Sequence, residues 1–421
     1  MSKIQKTRLE NGIHVITEEV HDFQSASIGI WVNIGSRDEM ENENGVSHFI
    51  EHLLFKGTEK RSARDIAREI ESVGGILNAF TGREYTCFYA KVLGDDIPLA
   101  IDLLSDIFLN SRFAQKEVEK ERLVVLQEIK MIEDTPDDLV HDIFAANFWK
   151  GHSIGMPVIG SADIIKSIKR DAILRYFRNA YLPHTVIITA AGNLKHSKLV
   201  RLLRRSFEEM ECRPFNRKIK QAKPAPFLVL ERKKLEQVHI CLGVPSPSQS
   251  EPARYKAYLL NTILGGGMSS RLFHEIREKR GLAYSVYSYL NLYLDAGALV
   301  VYAGVSKDNT KRTIDLILKE VGKLRREPVS QDELNIAKEQ LKGGMLLGLE
   351  TTENRMTKLA RDEIYFKRTV PIREIIREIE KVTQDDLMEL ASDMFANGSI
   401  GMVAMGDVSR KNIPGTFNVP C

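Results

Sequence analysis

His48-Phe49-Ile50-Glu51-His52 sets two histidines four residues apart, with a glutamate beside the second. On a helix, positions i and i+4 lie on one face, one turn apart. His48 and His52 therefore present two imidazole nitrogens to a single metal ion, and zinc is the ion such a pair suits. Glu51 stands close enough to touch a water at that metal but is poorly placed as a third ligand. The stretch is expected to be helical from His48 to Lys56, ending near Gly57. Gly45 and a polar, acidic loop from Gly35 to Glu43 precede it.

Residues 8 to 34 upstream read as strands, with an Asn11-Gly12 turn and an apolar run, Ala26 to Ile34, fit for burial. Downstream, Ser62 is the expected N-cap of a helix to Val73, stopped by Gly74-Gly75. Ile76 to Val92 reads as a hairpin turning near Thr81-Gly82-Arg83-Glu84. Helices are then expected over 97–108, 114–132, 137–148 and 162–180, a strand over 186–191 and a helix over 197–210.

The second half repeats the first. Tyr89-Ala90 and Ile101-Asp102-Leu103 recur as Tyr302-Ala303 and Ile314-Asp315-Leu316 at an offset of 213, and Tyr181 to Asn193 matches Phe395 to Asp407 at 214. We read a tandem duplication: domains over 1-213 and 228-421, joined by a linker over 214-227 that carries Pro214, Pro224 and Pro226. The order of elements in each copy implies an α+β domain, a largely antiparallel sheet with helices packed on one face. Adding 213 to His48, Glu51 and His52 gives Asn261, Leu264 and Gly265, so the second copy lacks the metal-binding side chains. A motif present in one copy only is not a packing requirement of the fold, which favours chemistry as its purpose.

The bulk numbers exclude several classes. A length of 421 residues with 43% hydrophobic and 28% charged residues fits two or three globular domains, and a net charge of +3 does not mark a nucleic-acid binder. No apolar run reaches the length of a membrane span. The first residues carry no signal-like apolar core, and Cys87, Cys212, Cys241 and Cys421 form no CxxC pair; the expectation is a cytoplasmic protein with free thiols.

A catalytic zinc takes three protein ligands and keeps a fourth position for water. The 114–132 helix offers Glu117, Glu119, Glu121 and Glu128; Glu121 and Glu128, seven apart, share a face, and Glu128 sits in the apolar run Leu123-Val124-Val125-Leu126-Gln127-Glu128-Ile129, where burial and pairing are expected. The residues alone do not choose among these four.

His48-Phe49-Ile50-Glu51-His52 resembles the inverted zinc motif of the inverzincin metallopeptidases, the family of insulin-degrading enzyme, pitrilysin and the mitochondrial processing peptidase. The resemblance spans essentially the whole chain and is strongest to the short two-domain bacterial members. It implies Glu128, 76 residues after His52, as the third ligand of one zinc per chain, and Glu121 as the group that orients a ligand histidine. It implies Glu51 as general base toward a zinc-activated water. Asn78-Ala79-Phe80-Thr81 resembles the family's edge strand near the zinc, with Asn78, Ala79 and Phe80 meeting the substrate backbone. Arg277 and Tyr284, seven apart, resemble the family's Arg/Tyr pair, Arg277 holding substrate and Tyr284 donating to the oxyanion. The expected activity is endopeptidase cleavage of peptides or unfolded presequence segments inside a chamber closed by two chains. A homodimer is favoured over a heterodimer because one chain carries both motifs. The alternative is a non-catalytic scaffold subunit, but this chain keeps every ligand that such members lose.

Overall fold

The computed structural model describes residues 3–214, 217, 220–396 and 400–415. Cys421, part of the 214-227 linker and part of the Phe395–Asp407 repeat lie outside them. In chain order the elements are β1 (Lys3–Arg8), β2 (His14–Glu19), β3 (Ser25–Val32), α1 (Val46–Leu54), α2 (Ala63–Glu71), β4 (Ile76–Thr81), β5 (Thr86–Leu93), α3 (Ile97–Asn110), α4 (Gln115–Glu133), α5 (Pro136–Phe148), α6 (Ala162–Ser167), α7 (Arg170–Ala180), β6 (Val186–Gly192) and α8 (His196–Phe207). The second half follows with β7 (Phe227–Arg232), β8 (Val238–Ser246), α9 (Arg254–Gly265), β9 (Ala283–Leu292), β10 (Gly297–Val305), α10 (Thr310–Arg326), α11 (Gln331–Gly348), α12 (Thr352–Phe366), α13 (Ile372–Lys381), α14 (Gln384–Met394) and β11 (Gly401–Gly406).

The duplication is visible in the sheets. The first has strand order β1-β2-β6-β3-β5-β4 and the second β7-β11-β8-β10-β9. Each is antiparallel except for one parallel pair, β2 with β6 and β7 with β11. Without β1, the two orders and strand directions coincide. The polar, largely exposed β1 precedes the strands expected over residues 8 to 34; it pairs with β2 at the sheet edge, where no buried face imposes an apolar pattern. The expected 162–180 helix is two helices, because Ile168 and Lys169 adopt extended backbone between them.

The compact units cut across the contiguous ranges 1-213 and 228-421. The first comprises Met1–Met131, Met156–Ile219 and Gly348–Thr369; the second comprises Ile132–Gly155, Lys220–Leu347 and Val370–Cys421. Each half thus gives one helix to the other, α5 to the second unit and α12 to the first. The reason lies in the strands, which are apolar on both faces. Ala26, Ile28, Ile30 and Val32 of β3 face the main helical layer with α1 and α3, while Trp31, with Cys87 and Ile187, packs against Met356, Leu359 and Ala360 of α12. In the second unit, Ile240, Leu242 and Val244 of β8 face one core, while Cys241 packs against Val140, Phe144 and Phe148 of α5. The sheet with helices on one face is therefore completed by a single exchanged helix on the other. Buried polar groups on that second face are paired: Trp31 Nε1 donates to Thr189 Oγ1 at 2.8 Å, and the Ser27 and Thr352 hydroxyls meet at 2.8 Å.

Glu363 fastens the far end of α12, accepting from Lys6 Nζ at 2.6 Å and meeting His14 Nδ1 at 2.7 Å. Burial alone would raise its pKa, but the hydrogen bonds from Lys6 and His14 outweigh burial and hold the carboxyl below its usual range. A carboxylate depressed in the folded state contributes stability that is present above its unfolded value and lost as pH falls through the folded one. Wild type is therefore expected to lose stability more steeply than Glu363→Gln below about pH 4.5, which denaturant unfolding between pH 3 and 7, on the order of one unit apart, would measure. Equal slopes would remove Glu363 as an acid-sensitive fastening.

Among the described residues no helix is long and apolar enough to cross a membrane. Cys87, Cys212 and Cys241 are free thiols.

Candidate metal centre

α1 is short and two-sided. Val46, Phe49, Ile50, Leu53 and Leu54 are buried in the first unit's core, which leaves His48, Glu51 and His52 half-buried on the opposite side. The His48 and His52 rings stand 4.7 Å apart, centroid to centroid. α4 brings Glu128 to them: its Oε2 lies 3.5 Å from His52 Nε2 and 3.9 Å from His48 Nε2. Ligand atoms placed tetrahedrally about 2.0–2.1 Å from zinc are roughly 3.3 Å from one another. The three donor atoms, all within 4.8 Å of each other, thus fit a zinc ion with little movement. Neutral imidazole is the ligating form; burial, reinforced by neighbouring His52, pushes His48 down to about 4.

Glu121, two turns before Glu128 on the same helix, is the buried member of the pair. Its Oε2 is 3.2 Å from His52 Nδ1 and its Oε1 is 2.9 Å from Lys56 Nζ. An acceptor at Nδ1 holds the proton there and leaves the Nε2 lone pair facing Glu128. Glu128 is about one-third exposed; of the apolar run around it, Val125 and Ile129 reach the core while Leu123 and Val124 are exposed, so the run does not bury Glu128. The burial expected of Glu128 belongs to Glu121. His48 Nδ1, by contrast, is buried with no partner among the described residues.

Glu51 Oε2 accepts from Thr81 Oγ1 at 2.5 Å. Burial raises the Glu51 carboxyl, with Glu128 adding to the rise, while the Thr81 bond and His52 pull it back only in part. Thr81 ends β4, the strand at the open edge of the sheet, where Asn78 and Phe80 are exposed and Ala79 is half-buried. Asn78 Oδ1 accepts from the Ala79 backbone N–H at 2.8 Å, and the Phe80 ring meets Trp31 edge-on. Thr81 is 30 residues from Glu51 in the chain, and only the fold carries it to the carboxylate.

Arg277 and Tyr284 belong to the second unit. Arg277 lies in a π-helical turn, Phe273–Glu278, with its guanidinium 4.8 Å from the Phe273 ring and 5.0 Å from the Tyr284 ring. Tyr284, near the start of edge strand β9, is 80% exposed, so its hydroxyl is open to a ligand. The counterpart of α1 is α9, where Asn261, Leu264 and Gly265 replace His48, Glu51 and His52. A Cβ at Gly265 would lie 2.5 Å from the Ser288 backbone nitrogen. The second copy has closed over the space a histidine would need.

A duplicated α+β fold with a His–His–Glu cluster in one copy defines a class of two-domain metallopeptidase-like proteins. Comparison with known proteins narrows it. A family profile described as Insulinase (Peptidase family M16) matches residues 14–162, and one described as Peptidase M16 inactive domain matches residues 167–341. A protein of Mycobacterium tuberculosis named as an uncharacterized zinc protease is 41% identical over 416 residues, covering 97% of this chain and 95% of its own. A similarly named protein of Bacillus subtilis is 37% identical over 392 residues, covering 93% and 96%. The crystal structure of a protease from Helicobacter pylori shares the fold with a TM-score of 0.90 at 20% identity, covering 96% of this chain and 100% of that one. The chain belongs to peptidase family M16.

Proposed function

We propose that the protein is a zinc endopeptidase, with His48, His52 and Glu128 holding one zinc per chain and Glu51 as general base. The observation that carries this reading is the convergence of two imidazole nitrogens and one carboxylate oxygen within 4.8 Å, with Glu51 on the same helix face. The names of the relatives, zinc proteases, agree with it. Zinc bound there supplies Lewis acidity to a peptide carbonyl and acidifies water. Glu51 takes the proton of the attacking water on its free carboxylate oxygen and returns it to the leaving amine nitrogen. Thr81 holds the other oxygen and so fixes the direction of the base. Glu121 holds His52 by Nδ1. The open edge of β4 offers backbone groups of Asn78, Ala79 and Phe80 to an extended peptide. Chelator is expected to abolish cleavage of a quenched peptide, and stoichiometric zinc to restore it; cleavage indifferent to chelator sinks the reading.

The resemblance extends the proposal to a homodimer in which two chains of two units close a chamber, with Arg277 and Tyr284 of one chain serving the zinc of the other. The 80% exposure of Tyr284 supports a hydroxyl available to substrate. An obligate monomer in sedimentation that keeps full activity refutes this assembly. The free thiols of Cys87, Cys212 and Cys241 support a cytoplasmic setting.

A further inference from the structure

α1 lacks a cap of its own. Its N-cap is Gly45, at φ +93°, with no side chain to accept the first N–H groups. No other residue fits there, since a Cβ would lie 2.6 Å from the Ile159 carbonyl oxygen and 2.8 Å from Gly160 Cα. The open N–H groups of a buried helix start need acceptors from elsewhere. Glu39, six residues upstream and 5% exposed, supplies one, at Ser47, and also holds the N–H of Gly45 itself. Its Oε2 accepts from Gly45 N at 2.7 Å and its Oε1 from Ser47 N at 2.8 Å. Asn44 Nδ2 donates to the same Oε2 at 3.1 Å and to the Pro157 carbonyl at 3.0 Å. The Ser47 hydroxyl in turn meets Tyr176 of α7 at 3.1 Å. The buried Glu39 carboxylate thus holds Gly45, Ser47 and Asn44 together at the start of α1, while Asn44 reaches the 157–160 loop and Ser47 reaches α7. Burial drives that carboxyl up to about 7, against the pull of its hydrogen bonds, so it is costly to keep there and is retained by its partners.

The next residue after Ser47 is His48. A nine-residue helix has little internal cooperativity with which to hold its own first turn. The turn that Glu39 pins is the turn that aims His48, whose Nδ1 has no orienting partner among the described residues, whereas His52 has Glu121. We propose that Glu39 is a positioning residue for the metal centre: it replaces the missing cap of α1 and so fixes the distance at which His48 meets His52 and Glu128. This rests on the zinc reading above for its consequence, but not for its structural half.

The experiment compares wild type, Glu39→Gln, Glu39→Asp and Glu39→Ala by three readouts. Hydrogen exchange of the metal-free protein reports on α1 directly, zinc affinity comes from competition with a chromophoric chelator, and steady-state cleavage separates kcat from KM. In Glu39→Ala, amides of α1 should exchange at least about tenfold faster with β3 and β6 unchanged, zinc affinity should fall about tenfold or more, and kcat should fall with KM within about twofold. Glu39→Gln, which keeps one acceptor oxygen but sets an NH2 against either Ser47 N–H or the Gly45 and Asn44 donors, should recover only part of each loss. Should Glu39→Ala fail to fold, Glu39→Asp decides, because its shorter carboxylate cannot span Gly45 and Ser47; zinc affinity is then expected to be well below that of wild type. Wild-type zinc affinity and α1 exchange in the Ala or Asp variant overturn the proposal, as does faster exchange spread evenly over β3 and β6. A wild type that binds no zinc overturns the function reading instead, and the exchange data still decide the role of Glu39.

Discussion

Glu51→Gln should reduce cleavage of a quenched peptide by roughly 10²–10⁴-fold while leaving zinc content at the wild-type level. The amide has the size of the carboxylate, so it can keep its place against Thr81, but it cannot take a proton from water. The expected effect is therefore on kcat, with KM close to wild type. Thr81→Val provides the graded comparison. It leaves the base in place and removes only the 2.5 Å hydrogen bond that directs it. A hydrogen bond to a charged group contributes about 1.5–3 kcal/mol, so the loss should be on the order of tenfold to a hundredfold and should not add to that of Glu51→Gln. Metal analysis beside the kinetics separates loss of the base from loss of the ion. Undiminished cleavage by Glu51→Gln removes Glu51 from the chemistry, whatever zinc does.

What could be read from the chain followed the range of each interaction. The pair His48 and His52 is legible because one helical turn brings the two side chains together, and the Ser62 cap of α2 is legible for the same reason: it accepts from Asp65 N, and Asp65 answers it. The duplication was legible as a repeat and returns as two sheets with the same strand order. The apolar run sets Glu128 apart from Glu117 and Glu119 but points to burial rather than to a metal, and a separation of 76 residues leaves no periodic signal, so resemblance had to choose the ligand. The exchange of α5 and α12 was hidden because an apolar helix face does not say which sheet it will cover. Glu39 looked like one more charge in a polar loop, and its burial under α1 exists only once the 157–160 loop has closed beside Gly45. Sequence thus showed the parts held by neighbours in the chain, and tertiary structure supplied the parts that aim them.

The division of labour on α4 gives the second large effect. Glu128→Gln should weaken zinc binding by about 10²-fold or more, since structural zinc sites with four protein ligands are held by roughly 10–16 kcal/mol, about 3 kcal/mol per ligand. Its carboxylate carries the only negative charge among the three donors, so the amide loses charge neutralisation as well as a good oxygen ligand. Glu121→Gln should cost less, about 10–100-fold, because the loss acts through His52: an amide at 3.2 Å from Nδ1 still accepts a hydrogen bond but no longer strengthens the imidazole as a donor to the ion. It also releases Lys56, whose ammonium is then left near the site uncompensated. Glu119→Gln is the control on the same helix. Glu119 is half-exposed and pairs with Arg122, away from the histidines, so zinc affinity should stay within about twofold of wild type. The order expected from competition titrations is Glu128 first, Glu121 second and Glu119 without effect. If Glu121→Gln loses zinc and Glu128→Gln keeps it, the ligand and its support have been exchanged, and the 3.5 and 3.9 Å approaches of Glu128 to the two histidines do not describe the bound state.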